Sequence, residues 1–164
     1  MLSARSRQLF VLGFVACTAA LAVAIYLEAE TGLVPCSLSL VQRFFMGLMA
    51  LSCLASVIHC PGRKGMLAYA GGNLLFSMLG GLAATRHVWM QEHADQPQIV
   101  CQPGFDYLLQ ALPLKDVLTT LAMGTPECAR VNWTLLDMSL AEWSLFAFVG
   151  MLVLSLWTLL QSAR

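Results

Sequence analysis

Four long apolar stretches divide the chain, over residues 8–27, 38–58, 66–89 and 143–160. A helix needs about 20 predominantly apolar residues to cross the hydrocarbon core of a bilayer, and each stretch is close to that length. The first is longer than the apolar part of an ordinary secretory signal, so it reads as a retained span. The polar segments between them are a short acidic loop over residues 28–37, a tight basic turn from His59 to Gly65, and a long segment over residues 90–142. Gly32 and Pro35 break the first of these. Inside the long segment, Phe105 to Met123 keeps Leu108, Leu109, Leu112, Val117, Leu118 and Leu121, which suits a short helix lying in the headgroup region. The pattern predicts one all-α membrane domain over residues 1–164: a bundle of four transmembrane helices with a short interfacial helix in its second outer loop.

Composition agrees. Of 164 residues, 59% are hydrophobic and 11% charged, and the mean hydropathy is +0.73, too apolar for a soluble domain of this size. The formal net charge is zero, which argues against nucleic acid as a partner. Charge placement is more informative than its sum. Arg5, Arg7, Arg63, Lys64 and Arg164 lie in the terminal segments and the 59–65 turn, where there is no acid. All nine acids fall on the opposite side or at its boundary. The positive-inside rule then places both termini in the cytoplasm and the loops 28–37 and 90–142 outside. Gly71, Gly72, Gly80 and Gly81 in the third span allow close helix approach, and Asn73 reads as a hydrogen bond across the bundle.

Candidate chemistry gathers in Val34-Pro-Cys36-Ser-Leu-Ser39-Leu-Val-Gln42-Arg43. Cys36 and Arg43 are seven residues apart, so they share a helical face about 10 Å apart along the axis, with Ser39 between them. A thiolate at a helix N-terminus is stabilised by the dipole. An arginine inside an apolar span is costly and marks a functional site. Of the six cysteines, Cys17 and Cys53 fall in mid-span and read as small buried hydrophobes. His59 and Cys60 are too few for a metal site, and no metal is expected. Cys36, Cys101 and Cys128 face outward, and an odd number of thiols in an oxidising compartment is a flag. The residues alone leave two readings open. Cys101 and Cys128 can form a bridge that only ties the long loop together in a non-catalytic protein, or the three sulfurs can be redox active.

These residues resemble the disulfide bond formation protein B (DsbB) family of bacterial inner membranes, over nearly the whole chain. The likeness rests on Pro35-Cys36-x-Leu-x-Leu-x-Gln42-Arg43 opening the second span and Arg86-His87-x-Trp-x-Gln closing the third. It continues in Cys101-x-Pro, Cys128-Ala ahead of Trp133, and Ser-Leu-Ala-Glu-Trp143 before the fourth. Vitamin K epoxide reductase-like proteins share the four-helix logic, but their Cys-x-x-Cys lies late in the chain, and no such pair exists here.

The resemblance implies a quinone-dependent thiol:disulfide oxidoreductase of the inner membrane with its redox loops in the periplasm. Its partner would be a DsbA-type thioredoxin-fold oxidase, whose thiolate attacks the Cys101–Cys128 pair, most naturally at Cys101. Cys128 would pass to Cys36, and the Cys36 partner at position 39 would send electrons to ubiquinone, or menaquinone without oxygen. Arg43 would hydrogen-bond a quinone carbonyl, with His87, Gln42 and Arg86 around the ring. This chain departs from the pattern at Ser39, where the family has the second cysteine of Cys-x-x-Cys. A hydroxyl cannot form a disulfide, so the relay is expected to stall with Cys36 bonded to Cys128. An engineered exchange that traps an intermediate and a degenerate paralogue both fit; the intact surroundings favour the first.

Overall fold

A computed structural model describes residues 2–32, 35–93, 115, 119, 124–129 and 134–163. Four helices carry the fold: α1 (Leu2–Thr31), α2 (Ser37–His59), α3 (Arg63–Glu92) and α4 (Leu140–Ala163). A 3₁₀ turn, Pro126–Ala129, and a two-stranded hairpin, β1 (Thr134–Leu135) with β2 (Met138–Ser139), precede α4. All four helices are long and apolar enough to cross a membrane. The expected all-α, four-helix membrane bundle is what the chain forms. The interfacial helix expected over 105–123 lies outside the described residues, apart from isolated positions.

Each helix runs past its apolar stretch, because backbone breakers rather than charges end it. Gly32 takes φ 64° and returns its N–H to the Glu28 carbonyl at 2.9 Å, the left-handed C-terminal stop that glycine adopts without strain. Glu28 therefore belongs to the last turns of α1, not to the loop where its charge suggested it. Cys60 ends α2 in the same conformation, and Gly62 begins α3.

The helices pack in a ring: α1 on α2, α2 on α3, α3 on α4, and α4 back on α1. Phe10, Met46, Met49, Ala50, Ala84, Phe148 and Met151 fill its centre. Leu12, Phe44, Leu51, Ile58, Leu82 and Trp157 face outward, an arrangement suited to surrounding lipid, where an apolar exterior carries no hydration penalty. Cys17 and Cys53 are buried and unbonded. Asn73 crosses from α3 to donate to the Cys53 sulfur at 3.3 Å. At the opposite end from Cys36, Arg63 Nε donates to the Ser162 carbonyl at 2.7 Å, satisfying an orphan acceptor of the α4 C-terminus.

The hairpin turns on Leu136 and Asp137, with φ of 56° and 61°, and pairs Thr134 with Ser139 and Leu135 with Met138. Left-handed leucine is rare, so this turn carries no sequence signal. It ends in a capping box that does: Ser139 Oγ accepts the Glu142 N–H at 3.3 Å, and the Glu142 carboxylate accepts the Ser139 N–H at 2.5 Å.

Gly80 lies directly under Phe148; an added Cβ would sit 2.2 Å from the ring. Gly80→Ala should therefore lose about 1–3 kcal/mol by overpacking, read as a lower thermal midpoint in detergent. Gly47→Ala, with nothing within 4 Å, should leave the midpoint unchanged or raise it.

Candidate functional site

Cys36 is the N-cap of α2 and takes the extended geometry usual at that position (φ −75°, ψ 164°). The next residue, Ser37, is buried, and its Oγ accepts the Thr125 N–H at 3.1 Å. That bond joins the long segment between α3 and α4 to the start of α2. Gly124 makes the approach possible: it takes φ 85°, and an added Cβ would lie 2.7 Å from Met90 Sδ and 2.8 Å from Leu38 Cδ1. Beyond it, Cys128 N donates to the Thr125 carbonyl at 2.9 Å, and the 3₁₀ turn delivers the Cys128 side chain into a small core with Leu38 and Met90. Cys128 and Cys36 form a disulfide, with their Cα atoms 5.3 Å apart.

The two sulfurs have different surroundings. Cys128 Sγ lies 3.8 Å from Ser37 Oγ and 3.7 Å from Thr125 Oγ1. Cys36 Sγ lies 3.6 Å from Nε2 of His87, a buried residue of α3. The other ring nitrogen meets Gln42 Nε2 at 3.1 Å, and Gln42 Oε1 accepts from Ser144 Oγ of α4 at 2.8 Å. Three helices thus contribute to one polar chain that ends on a redox-capable sulfur. Cys36, His87 and Cys128 place their donor atoms within 4.8 Å of one another, but two sulfurs bonded to each other offer no thiolate to a cation.

A cavity of about 390 Å³ opens between α1, α2 and α4, with His87, which also meets Cys36, on its wall. Its walls are mostly aliphatic, interrupted by Ser39, Gln42, Arg43, His87, Trp143 and Ser144. The Arg43 guanidinium pairs with the Glu28 carboxylate and donates to the Ala24 carbonyl at 3.4 Å. Its Nε is buried without a partner among the described residues.

The profile of the family described as "Disulfide bond formation protein DsbB" matches residues 6–158. The chain belongs to the DsbB family. It is 43% identical to disulfide bond formation protein B 1 of Pseudomonas aeruginosa over 160 residues, covering 98% of each chain. It is 39% identical to disulfide bond formation protein B of Stutzerimonas stutzeri, covering 96% of this chain and 97% of that one. The protein of the same name from Methylococcus capsulatus is 38% identical, over 92% of each. No solved structure matches. The family makes this a disulfide oxidoreductase of the membrane.

Of the residues the sequence singles out in this DsbB-family chain, Ser39, Gln42, Arg43 and His87 line the cavity, and His87 joins it to Cys36, which is bonded to Cys128. Arg86 does not belong to that group. One position along a helix turns a side chain by about 100°, and its guanidinium lies over the Trp89 ring, 4.9 Å from the centroid. Cys101 lies outside the described residues. The non-catalytic alternative joined Cys101 to Cys128; here Cys128 is bonded to Cys36 instead. Sequence reasoning missed Glu28, Ser37, Gly124, Thr125 and Ser144. Glu28 alone carried a usable signal, since an arginine within an apolar span calls for an acid at matching depth.

Because Ser37 Oγ is the acceptor for the buried Thr125 amide, Ser37→Ala should strand that donor. Amide exchange at Thr125 should rise about tenfold, the effect of losing about 1.4 kcal/mol of local protection, while exchange at Met49 in the α2 core stays unchanged.

Proposed function

We propose that the site of this DsbB-family protein is built to oxidise a reduced DsbA-type thioredoxin-fold partner and deliver the electrons to a quinone, ubiquinone or menaquinone, held in the cavity beside Arg43, and that Ser39 stalls this relay in the present chain. The observation that carries the reading is the Cys36–Cys128 bond, which joins the 28–37 and 90–142 loops and meets, through His87, a mostly aliphatic cavity with Arg43 on its wall. A loop staple needs no such neighbour. The redox loops then face the periplasm and both termini the cytoplasm, as the clustering of Arg5, Arg7, Arg63, Lys64 and Arg164 supports.

The residues present fit a quinone. Aliphatic walls suit its ring, and the Arg43 guanidinium on the cavity wall supplies donors for a ring carbonyl. Glu28 neutralises the guanidinium and fixes the face it presents; Gln42 and His87 complete the polar wall. Such a molecule supplies an acceptor for two electrons and two protons. A sink more oxidising than the partner is required, because each 30 mV of a two-electron couple is worth about 1.4 kcal/mol.

The partner's thiolate attacks Cys101 of a Cys101–Cys128 disulfide; a partner–Cys101 bond forms and the electron pair leaves on Cys128. With cysteine at position 39, Cys128 attacks Cys36 in the bond joining it to that second sulfur, and expels the position-39 thiolate beside Arg43. Ser39 removes that branch. In this chain the Cys36 thiolate attacks Cys128 of the Cys101–Cys128 bond instead, giving Cys36–Cys128 and releasing the Cys101 thiolate. No further electron leaves the protein, and the relay stops there.

Two variants test the reading with reduced partner and a soluble ubiquinone. Ser39→Cys should raise quinone reduction at least about a hundredfold over the Ser39 chain. Adding Arg43→Leu should then cut kcat/KM for quinone by about 10–100-fold, the value of a hydrogen bond from a charged donor. A Ser39→Cys protein that stays inactive, or one indifferent to Arg43→Leu, would contradict the proposal.

A further inference from the structure

We propose that Ser144 and Gln42 hold the proton of His87 on Nε2, so that the ring donates to Cys36 Sγ and steadies the charge this sulfur carries when the Cys36–Cys128 bond breaks. His87 then acts on a reacting atom, and Gln42 and Ser144 are positioning residues. The role in turnover rests on the oxidase reading; the tautomer and its effect on the disulfide do not.

A neutral histidine carries one N–H, and the partner of one ring nitrogen decides where the proton sits. Gln42 is buried between Ser144 Oγ, 2.8 Å from its Oε1, and His87 Nδ1, 3.1 Å from its Nε2. With the hydroxyl donating to Oε1, the amide N–H must face Nδ1, which accepts. The ring proton is then on Nε2, facing Cys36 Sγ at 3.6 Å and the Cys128 backbone. The opposite arrangement is open to the side chains. Ser144 can donate to the Ala141 carbonyl at 2.7 Å and let the Gln42 amide turn round. That would leave a bare Nε2 lone pair facing sulfur and carbonyl lone pairs in a buried site, which is the costly choice.

No ionised side chain competes for the ring among the described residues. Arg43 of α2 and Glu28 of α1 pair with each other. Glu142 of α4 is taken by the Ser139 N–H, and Arg86 of α3 lies on Trp89. The 3₁₀ turn brings only Cys128 among its described side chains.

The consequence is directional. When a thiolate, Cys101 or a small thiol, attacks Cys128 Sγ, a new S–S bond forms there. The Cys36–Cys128 bond breaks and its electron pair stays on Cys36 Sγ, where the His87 N–H meets it; no net oxidation occurs. A better-stabilised thiolate leaves faster. Cys128 meets the Ser37 and Thr125 hydroxyls and, among the described side chains, no such N–H, so once a thiolate reaches the buried Cys128 sulfur, Cys36 is the better leaving group.

The test uses the full chain in detergent with histidine-selective ¹⁵N labelling, the His87 signals being those absent from His87→Phe. The ring shifts should report protonation at Nε2. Ser144→Ala should mix the tautomers, and Ser144→Thr, which keeps the hydroxyl, should not. Glutathione equilibration in a Cys101→Ser background adds the functional readout: two glutathione thiols reduce the bond to two protein thiols and one glutathione disulfide. His87→Phe should lower that equilibrium constant about tenfold, Ser144→Ala should lower it severalfold, and Ser144→Thr should match the parent. Protonation of His87 on Nδ1 in the unsubstituted chain would overturn the proposal. So would equal constants for the parent, His87→Phe and Ser144→Ala. Failure of the oxidase reading would appear separately, as no partner oxidation with the Nε2 proton still in place.

Discussion

Within an apolar bundle, a polar group must find its partner in the protein, because lipid offers none. The site obeys that constraint almost throughout. Arg43 meets Glu28, Gln42 meets both Ser144 and His87, and Ser37 receives the Thr125 amide. Each pairing links two elements, so the same contacts that satisfy buried polarity also set where the sulfurs stand. Among the described residues Arg43 Nε is the unpaired donor within this group; it belongs to a side chain on the cavity wall but is itself enclosed by protein.

The Cys36–Cys128 bond depends on this arrangement from both ends. Pro35 and the start of α2 fix Cys36, while Gly124 lets backbone pass where a side chain would collide with Met90 and Leu38. The 3₁₀ turn then presents Cys128 to a sulfur 92 residues away in sequence. Closing a loop of that length constrains the unfolded chain by about 4–5 kcal/mol in the chain-entropy account.

Much of this was legible in the sequence because membrane solvent imposes coarse rules. Four apolar stretches gave four helices, and the Cys36-to-Arg43 spacing put both ends of the site on one helix. What escaped depends on backbone conformation and long-range pairing. The left-handed Leu136 and Asp137 turn breaks local preference, so no pattern announces the hairpin. Ser144 and Thr125 are ordinary hydroxyl residues until folding brings them to Gln42 and Ser37. Arg86 does not line the cavity with His87 because adjacency in sequence is not adjacency on a helix surface; its guanidinium lies over Trp89, one turn on.

The most direct measurement is a disulfide map of the chain, taken from membranes with free thiols blocked before digestion. The account predicts a peptide pair joining Cys36 to Cys128, with Cys101 recovered as a blocked thiol. A Cys101–Cys128 pair with Cys36 blocked would contradict it, because the Cys36 thiolate would then not have displaced Cys101 from Cys128.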